Sequence, residues 1–139
     1  MKFKDLETLK DCCADYIDGE NWKVAVGYKY YLVSNYGRVY SIRNDRVLKP
    51  NIHTGGYLDV RLKQKYGGFK RVILSRLIAT MFVPNPENKP IVHHIDGDIK
   101  NNKADNLMWV TTEEHKEIHR QMRQAAKLER QQKGGDVNE

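Results

Sequence analysis

Four of the chain's five histidines fall between His93 and His119, on either side of an asparagine-rich stretch. The order is His93-His94, Asp96, Asn101-Asn102, Asp105-Asn106, Trp109, then His115 and His119. A neutral imidazole is a good ligand for a transition-metal ion and the commonest side-chain proton acceptor near neutral pH. A histidine pair, a loop asparagine and a second histidine pair point first to metal-dependent hydrolysis.

The spacings say how the elements must present these groups. Residues four apart on a helix lie one above the other, so His115 and His119 would share a face and grip one ion together. Neighbours on a strand point to opposite faces, so His93 and His94 would divide the work, one facing a metal and the other the reacting group. Each pair alone has a plain explanation: polar surface for the helical pair, one packed and one solvated ring for the strand pair. Together they demand strand, loop, strand and helix. Residues 91–95 read as the first strand, 96–105 as a polar loop and 107–110 as the second strand. Thr112 starts the helix, with Glu113 and Glu114 in the first turn where the dipole favours acids. It is expected to reach about residue 130 and to fray from 134 onward. Asp96 and Asp98 do not form a calcium loop of the EF-hand kind, because Lys100 and Leu107 occupy its fifth and twelfth positions. Asp96 is expected to hydrogen-bond within its own loop, and Trp109 to pack in the core.

The charge is unevenly spread over the 139 residues. Residues 1–20 carry a net −3, 21–90 a net +10, 91–120 a net −2 and the remainder +1. The positive charge therefore belongs to the middle segment, and it suggests a polyanionic partner whose phosphates lose bound counterions on contact. An anionic membrane fits less well, because the segment is not one amphipathic helix. No apolar run approaches the roughly 18 residues that span a bilayer, and the start has no signal-peptide core, so a cytoplasmic protein without a membrane partner is expected. The adjacent Cys12 and Cys13 cannot readily bridge each other and read as packing residues on a helix.

That helix is expected over 3–17, where Phe3, Leu6, Leu9, Cys13, Tyr16 and Ile17 follow helical spacing. Residues 30–34 and 38–42 are β-prone and flank a turn at Asn35-Tyr36-Gly37. Residues 57–62 alternate strictly, with 69–74 as the partner strand. Ser75 is placed to cap a short helix over 76–82, which Pro84 and Pro86 end. Residues 85–90 read as a linker. Tyr30, Tyr31 and Tyr36 read as packing residues. A two-stranded ribbon over 30–42 would suit a major groove, with Asn35, Arg38, Arg43, Arg46 and Lys49 on or beside it. Arg61, Lys63, Lys65, Lys70 and Arg71 on the second hairpin suit phosphates.

The stretch 92–111, VHHIDGDIKNNKADNLMWVT, followed by His115 and His119, resembles the HNH endonuclease family. The order His, Asn, His is met by His94, Asn106 and His115. The resemblance implies an α+β chain in which a small basic β-rich module precedes a ββα-metal nuclease unit of the His-Me finger kind. It implies that His94 is the general base, that Asn106 ties the loop backbone together, that His93 and His115 are metal ligands and that His119 is an additional one. It further implies hydrolysis of a phosphodiester to a 5′-phosphate and a 3′-hydroxyl. Many phage and intron relatives carry Asn or Asp at the position of His93 and Asn at that of His115. Nitrogen-rich ligation moves the preference from Mg²⁺ towards Zn²⁺, Ni²⁺, Co²⁺ or Mn²⁺. Residues 22–49 resemble the NUMOD-type DNA-binding module found beside such nucleases, through Trp22-Lys23, Gly27-Tyr28, Tyr31 and 33–41, VSNYGRVYS. Residues 75–86 resemble its connector, with Ser75 where relatives often have His.

The expected organisation is an N-terminal helix to residue 20, the basic module and connector over 21–86, the nuclease unit over 87–130 and a flexible tail. The expected partner is double-stranded DNA, cut with one divalent ion in a phage or mobile-element setting. Intron relatives often add a C-terminal helix-turn-helix module. The sequence ends before one, so the expected recognition site is short or loosely specified. Two other classes stand beside this reading: a DNA-binding regulator that keeps its metal for structure alone, and an RNA-processing hydrolase. His94 and Asn106 argue against the regulator, because a structural site needs neither.

Overall fold

Short β-prone runs separated by glycine turns dictate the first two-thirds of the chain. The computed structural model describes residues 18–137, so the helix expected over 3–17, with Cys12 and Cys13, lies outside the described residues. Strands β1 (Trp22–Val24), β2 (Tyr31–Ser34), β3 (Val39–Ser41) and β4 (Arg46–Val47) form an antiparallel meander in that order. The turn between β2 and β3 depends on Gly37, whose φ of +84° is strained for any residue with a Cβ. The buried Ser34 hydroxyl accepts the N–H groups of Tyr36 and Arg38 at 3.2 and 3.1 Å and closes this turn.

A second antiparallel sheet follows, made of β5 (Asn51–Ile52), β6 (Leu58–Lys63) and β7 (Phe69–Ile73). Gly67 and Gly68, with φ of +100° and +73°, turn β6 into β7. β7 runs straight into α1 (Leu74–Phe82). The Ser75 cap expected from sequence does not form. The helix begins at Leu74, the cap position is Ile73 and makes no side-chain bond, and Ser75 is buried in the first turn. Burial of Leu74, Leu77 and Ile78 on one face selects this earlier start.

The last part is a hairpin and a helix: β8 (Ile91–His94), a 3₁₀ turn over Ala104–Asn106, β9 (Leu107–Val110) and α2 (Thr112–Val137). α2 opens on a capping box that the sequence reading did not single out. The Glu114 N–H donates to the Thr111 hydroxyl at 3.1 Å, and the Thr111 N–H donates to the Glu114 carboxylate at 3.2 Å. Lys89 adds an ion pair to Glu114 at 3.0 Å. The helix continues to Val137, beyond the end expected near residue 130. Among the described residues no helix is long and apolar enough to cross a membrane.

One apolar cluster takes Val33 and Val39 from the first sheet, Val60 and Leu62 from the second, Leu74, Leu77 and Ile78 from α1, and Leu107 from β9. It therefore crosses the boundary expected at residue 86, and α1 touches strands of all three sheets. On the first sheet's other side Trp22, Leu32, Tyr40 and Ile42 form a second cluster. Every residue of β2 and β3 is buried. The strands of the expected ribbon over 30–42 are thus covered on both faces and offer no open face of the kind a groove would need.

Arg38, at the end of that ribbon, is engaged within the fold. Its Nε donates to the Glu20 carboxylate at 2.8 Å, a second guanidinium nitrogen reaches the other carboxylate oxygen, and the group lies 5.3 Å from the Trp22 ring centre. The Glu20 side chain is fully buried. Removing one partner of such a pair strands a charge, at a cost of about 3–5 kcal/mol, whereas replacing both by apolar groups is close to neutral. Arg38→Ala is expected to lower unfolding free energy by about 3 kcal/mol in urea titrations. The double variant Glu20→Leu/Arg38→Met is expected to lose much less, and an equal loss would show that the pair acts otherwise.

Candidate functional site

β8 brings two imidazoles to opposite faces of one strand, as a period of two requires. His93 and His94 are both buried, at 6% and 5% exposure, opposite Met108 and Leu107 of β9. α2 presents His115 and His119 one turn apart on the side that faces His93. Ring centroids lie 5.6 Å from His93 to His115, 5.9 Å from His93 to His119 and 4.3 Å between the helical pair. One ring nitrogen from each falls within 4.8 Å of the others. The Nε2 atoms of His115 and His119 are 3.0 Å apart. Two nitrogens bound at about 2.1 Å and at roughly right angles would have that separation.

The electrostatics suit the same use. Burial, then the neighbouring rings of His115, His119 and His94, hold the His93 pKa below the ordinary histidine value. Burial, then His119, does the same for His115. Both are therefore neutral at pH 7, the form that ligates a cation. His93 is enclosed, His115 half-buried and His119 exposed, so the cluster has a closed inner side and an open outer side. A three-imidazole set with an open side fits a single divalent ion of borderline softness.

The loop after His94 is held by its own polar side chains. The Asn106 oxygen accepts the Asp96 N–H at 3.0 Å, and its amide nitrogen donates to the Asp96 carboxylate and to the Asn101 carbonyl, both at 2.9 Å. The Asn106 carbonyl also accepts the Ile95 N–H at 2.8 Å. Asn106 is thus a clamp inside the fold. Asp96 accepts further bonds from the Asn101 amide and the Asp98 N–H, both at 2.8 Å. The Asn101 bond, then those of Asp98 and Asn106, hold its carboxyl below the usual range. Asp96 is occupied within the loop as its sequence context suggested.

Sequence reasoning passed over one residue here. Asn102 is 5% exposed and its side-chain oxygen lies 2.9 Å from His94 Nε2. The available signal was a second asparagine, next to Asn101, in a loop that must cross under the strand pair. Trp109 is half-buried, donates its indole N–H to the Val83 carbonyl at 3.1 Å and lies under Arg76, as a core residue would.

The candidate DNA contacts divide into three groups, with Lys70 apart. Asn35 and Arg38 serve the fold: the Asn35 oxygen accepts the Asn21 N–H at 2.7 Å and its amide faces the Gly19 carbonyl at 3.3 Å. Arg43, Arg46 and Lys49 are exposed beyond β3, with Arg43 over the Tyr30 ring and Arg46 and Lys49 beside a groove shared with Asn51 and Arg61. Arg61, Lys63 and Arg71 share the outer face of the second sheet, since Arg61 pairs with Arg71 and Lys63 with Phe69. Lys70 pairs with Leu62, so the register turns it to the opposite face from Arg61. Arg71 is held in place by the buried Asp59 at 3.7 Å and by His53 at 3.1 Å.

Two family models match the chain: the NUMOD4 motif over residues 20–63 and HNH endonuclease over residues 72–117. An uncharacterized HNH endonuclease of Acanthamoeba polyphaga mimivirus, L247, is 44% identical over 64% of this chain and 23% of its own length. DNA endonuclease I-HmuI of Bacillus phage SP01 is 42% identical over 65% of this chain and 52% of its own. H-N-H endonuclease F-TflII of Escherichia phage T5 is 34% identical over 70% of this chain and 51% of its own. The chain therefore spans between about a quarter and about half the length of these relatives. The solved structure of the HNH homing endonuclease I-HmuI, which concerns DNA binding and cleavage by that protein, superposes with a TM-score of 0.66 and 37% identity, covering 76% of this chain and 59% of the other. Residues 72–117, which hold the histidine hairpin and the first turns of α2 with His115, match the HNH endonuclease family, and a NUMOD4 motif lies ahead of them.

Proposed function

We propose that this chain is a metal-dependent DNA endonuclease in which His93, His115 and His119 hold one divalent ion and His94 is the general base. The observation that carries the proposal is the separation of roles on β8. Three imidazoles meet within 4.8 Å, while the fourth, one residue away, faces elsewhere and hydrogen-bonds to a loop amide. A bound ion supplies Lewis acidity at the phosphate and offsets charge on the leaving oxygen. His94 takes the proton of the attacking water, and the 3′ oxygen leaves, giving a 5′-phosphate and a 3′-hydroxyl. Asn106 keeps the loop from moving against His94 but touches no substrate. The all-nitrogen donor set favours Zn²⁺, Ni²⁺, Co²⁺ or Mn²⁺ over Mg²⁺.

Duplex DNA is the proposed substrate, and the second sheet its docking face. Its two long strands, β6 and β7, make an antiparallel ribbon of the kind a major groove admits, and Arg61, Lys63 and Arg71 stand on its open side with the exposed Phe69 between them. Arg43, Arg46 and Lys49 extend the charge along one edge and suit phosphates. One ββα unit cuts one strand per encounter, so nicking is the expected product of a monomer.

His94→Ala is expected to keep plasmid affinity and to lower the rate of nicking of supercoiled DNA by about 10²–10⁴-fold with Mn²⁺ or Ni²⁺. Cleavage at the wild-type rate would remove His94 from the base role. Binding without scission by the wild-type chain, across a panel of divalent ions, would favour the regulator with a structural metal instead.

Titration calorimetry should find one Ni²⁺ or Zn²⁺ per chain, and His93→Ala or His115→Ala should abolish that binding. Retention of one equivalent by both variants would place the ion elsewhere.

Acidity should act through the same rings. Because the folded-state pKa values of His93 and His115 lie below the unfolded value of about 6.5, the unfolded chain takes up these protons first. The metal-free protein should hold full stability above about pH 6.5 and lose it as pH falls through the lower folded values. His93→Ala should flatten that fall in a series of thermal melts from pH 8 to 5. An unaltered pH dependence in the variant would assign the acid sensitivity to other groups.

A further inference from the structure

We infer that Asn102 is the positioning residue for His94, and that the β2–β3 turn of the first sheet holds Asn102 where it can act. The inference rests on His94 being the base and extends that reading to residues outside the histidine constellation.

The buried amide of Asn102 meets His94 Nε2 at 2.9 Å. Its nitrogen end faces the Lys100 carbonyl oxygen at 3.5 Å, a position that suits an N–H, so the oxygen end is the one turned to the ring. An amide oxygen only accepts, so Nε2 must carry the hydrogen. That choice fixes the tautomer and leaves the lone pair on Nδ1, the nitrogen free to take a proton from water. It also fixes rotation about the ring's own axis, because the bond is made inside the fold where no water competes for it. Without the acceptor, either nitrogen could carry the hydrogen and the ring could turn.

Asn102 is itself gripped from the N-terminal side. A Cβ built on Gly37 would lie 2.9 Å from the Asn102 carbonyl oxygen, 3.1 Å from its carbonyl carbon and 3.4 Å from its Cβ. The turn therefore rests directly on the Asn102 backbone. Two residues on, the Ala104 N–H donates to the Asn35 carbonyl at 2.8 Å, and between them Lys103 lies 5.6 Å from the Tyr36 ring centre. Tyr36 in turn donates its hydroxyl to the Asp18 carbonyl at 2.9 Å, and the Asn35 side chain is tied to Gly19 and Asn21. Residues 35–37 thus form a rigid seat for residues 102–104. The NUMOD4 segment reaches the catalytic histidine through this seat, by way of backbone contact and one side-chain bond.

The test compares four variants of the full chain on supercoiled plasmid with Mn²⁺, alongside Ni²⁺ stoichiometry, DNA affinity and melting temperature. Asn102→Leu keeps the shape and removes the acceptor; it should lower kcat about 100-fold, the scale of a misplaced catalytic group, with KM and the bound ion unchanged. Asn102→Asp restores an acceptor oxygen and should recover kcat to within about tenfold of wild type, the low end of outer-shell losses. Gly37→Ala should lower kcat with little change in DNA affinity, by pushing on the Asn102 carbonyl. His94→Ala is the reference. If it is inactive while Asn102→Leu cuts at the wild-type rate, the positioning role is overturned and the base assignment stands. Equal losses in Asn102→Leu and Asn102→Asp would also overturn it, since a merely structural asparagine would not distinguish them. Should Asn102→Leu fail to fold, Asn102→Asp and Gly37→Ala decide: loss of ion binding with activity in either, or wild-type cutting by Gly37→Ala, sinks the seat. A fully active His94→Ala would remove the base reading and this inference with it.

Discussion

The pleat of a single four-residue strand governs the chemistry of this protein. Side chains of consecutive strand residues cannot face the same way, so a His-His pair on β8 must send one ring to each side. His93 meets the helical pair and His94 meets the loop. A slip of the β8–β9 register by one residue would exchange the two faces, and neither ring would find its partners. Four paired positions, from Ile91–Val110 to His94–Leu107, fix that register, and the burial of Leu107 and Val110 makes a slip costly.

Around that strand, polar groups that would be expensive to bury are all matched. The loop between β8 and β9 contains Asp96, Asp98, Asn101, Asn102 and Asn106, and each has a bond within the segment that runs from His94 to Asn106. A half-satisfied network in such a place would be worse than an apolar one. Complete satisfaction explains why a loop of irregular backbone can hold an imidazole steady. It also explains why the carboxylate of Asp96, although next to the histidines, is not a fourth ligand in this arrangement: its oxygens already accept three bonds.

The histidine site was legible in the sequence because its signals are local. Strand alternation separates His93 from His94, helical spacing unites His115 with His119, and Thr112 marks the helix start. Position 106 was readable only through resemblance, since a clamp made of amide bonds has no periodicity. Asn102 escaped because its importance depends on what lies across the fold, the carbonyl and glycine of a turn some 65 residues earlier in the numbering. The basic module was the less legible half. Tyr31, Leu32 and Val33 advertise a strand, but nothing local says that both faces will be covered; two separate apolar clusters do that. Arg38 looked like a DNA contact because charge is visible in a sequence and a buried partner such as Glu20 is not. The two-residue strands β4 and β5 are too short to show alternation. α2 runs through Gly134 and Gly135, where sequence logic would end a helix.

The shared core bears on how a binding face and a cutting site keep their distance. Val60 and Leu62, on the inner side of β6, belong to the same cluster as Leu107, the cross-strand partner of His94. On the outer side of β6 stands Arg61, aligned with Arg71 on β7. The basic sheet and the hairpin that carries the histidines both pack against α1, which touches β6, β7, β8 and β9. Close-packed interiors transmit strain, so a shift at one surface is felt at the other. A duplex seated on the second sheet would meet the cluster of His93, His115 and His119 at a fixed offset. On the proposed reading, the choice of scissile phosphate is then a property of the core. Val60, Leu62 and Leu107 are buried in that core, so substitutions there would act on the offset between face and site without themselves meeting DNA.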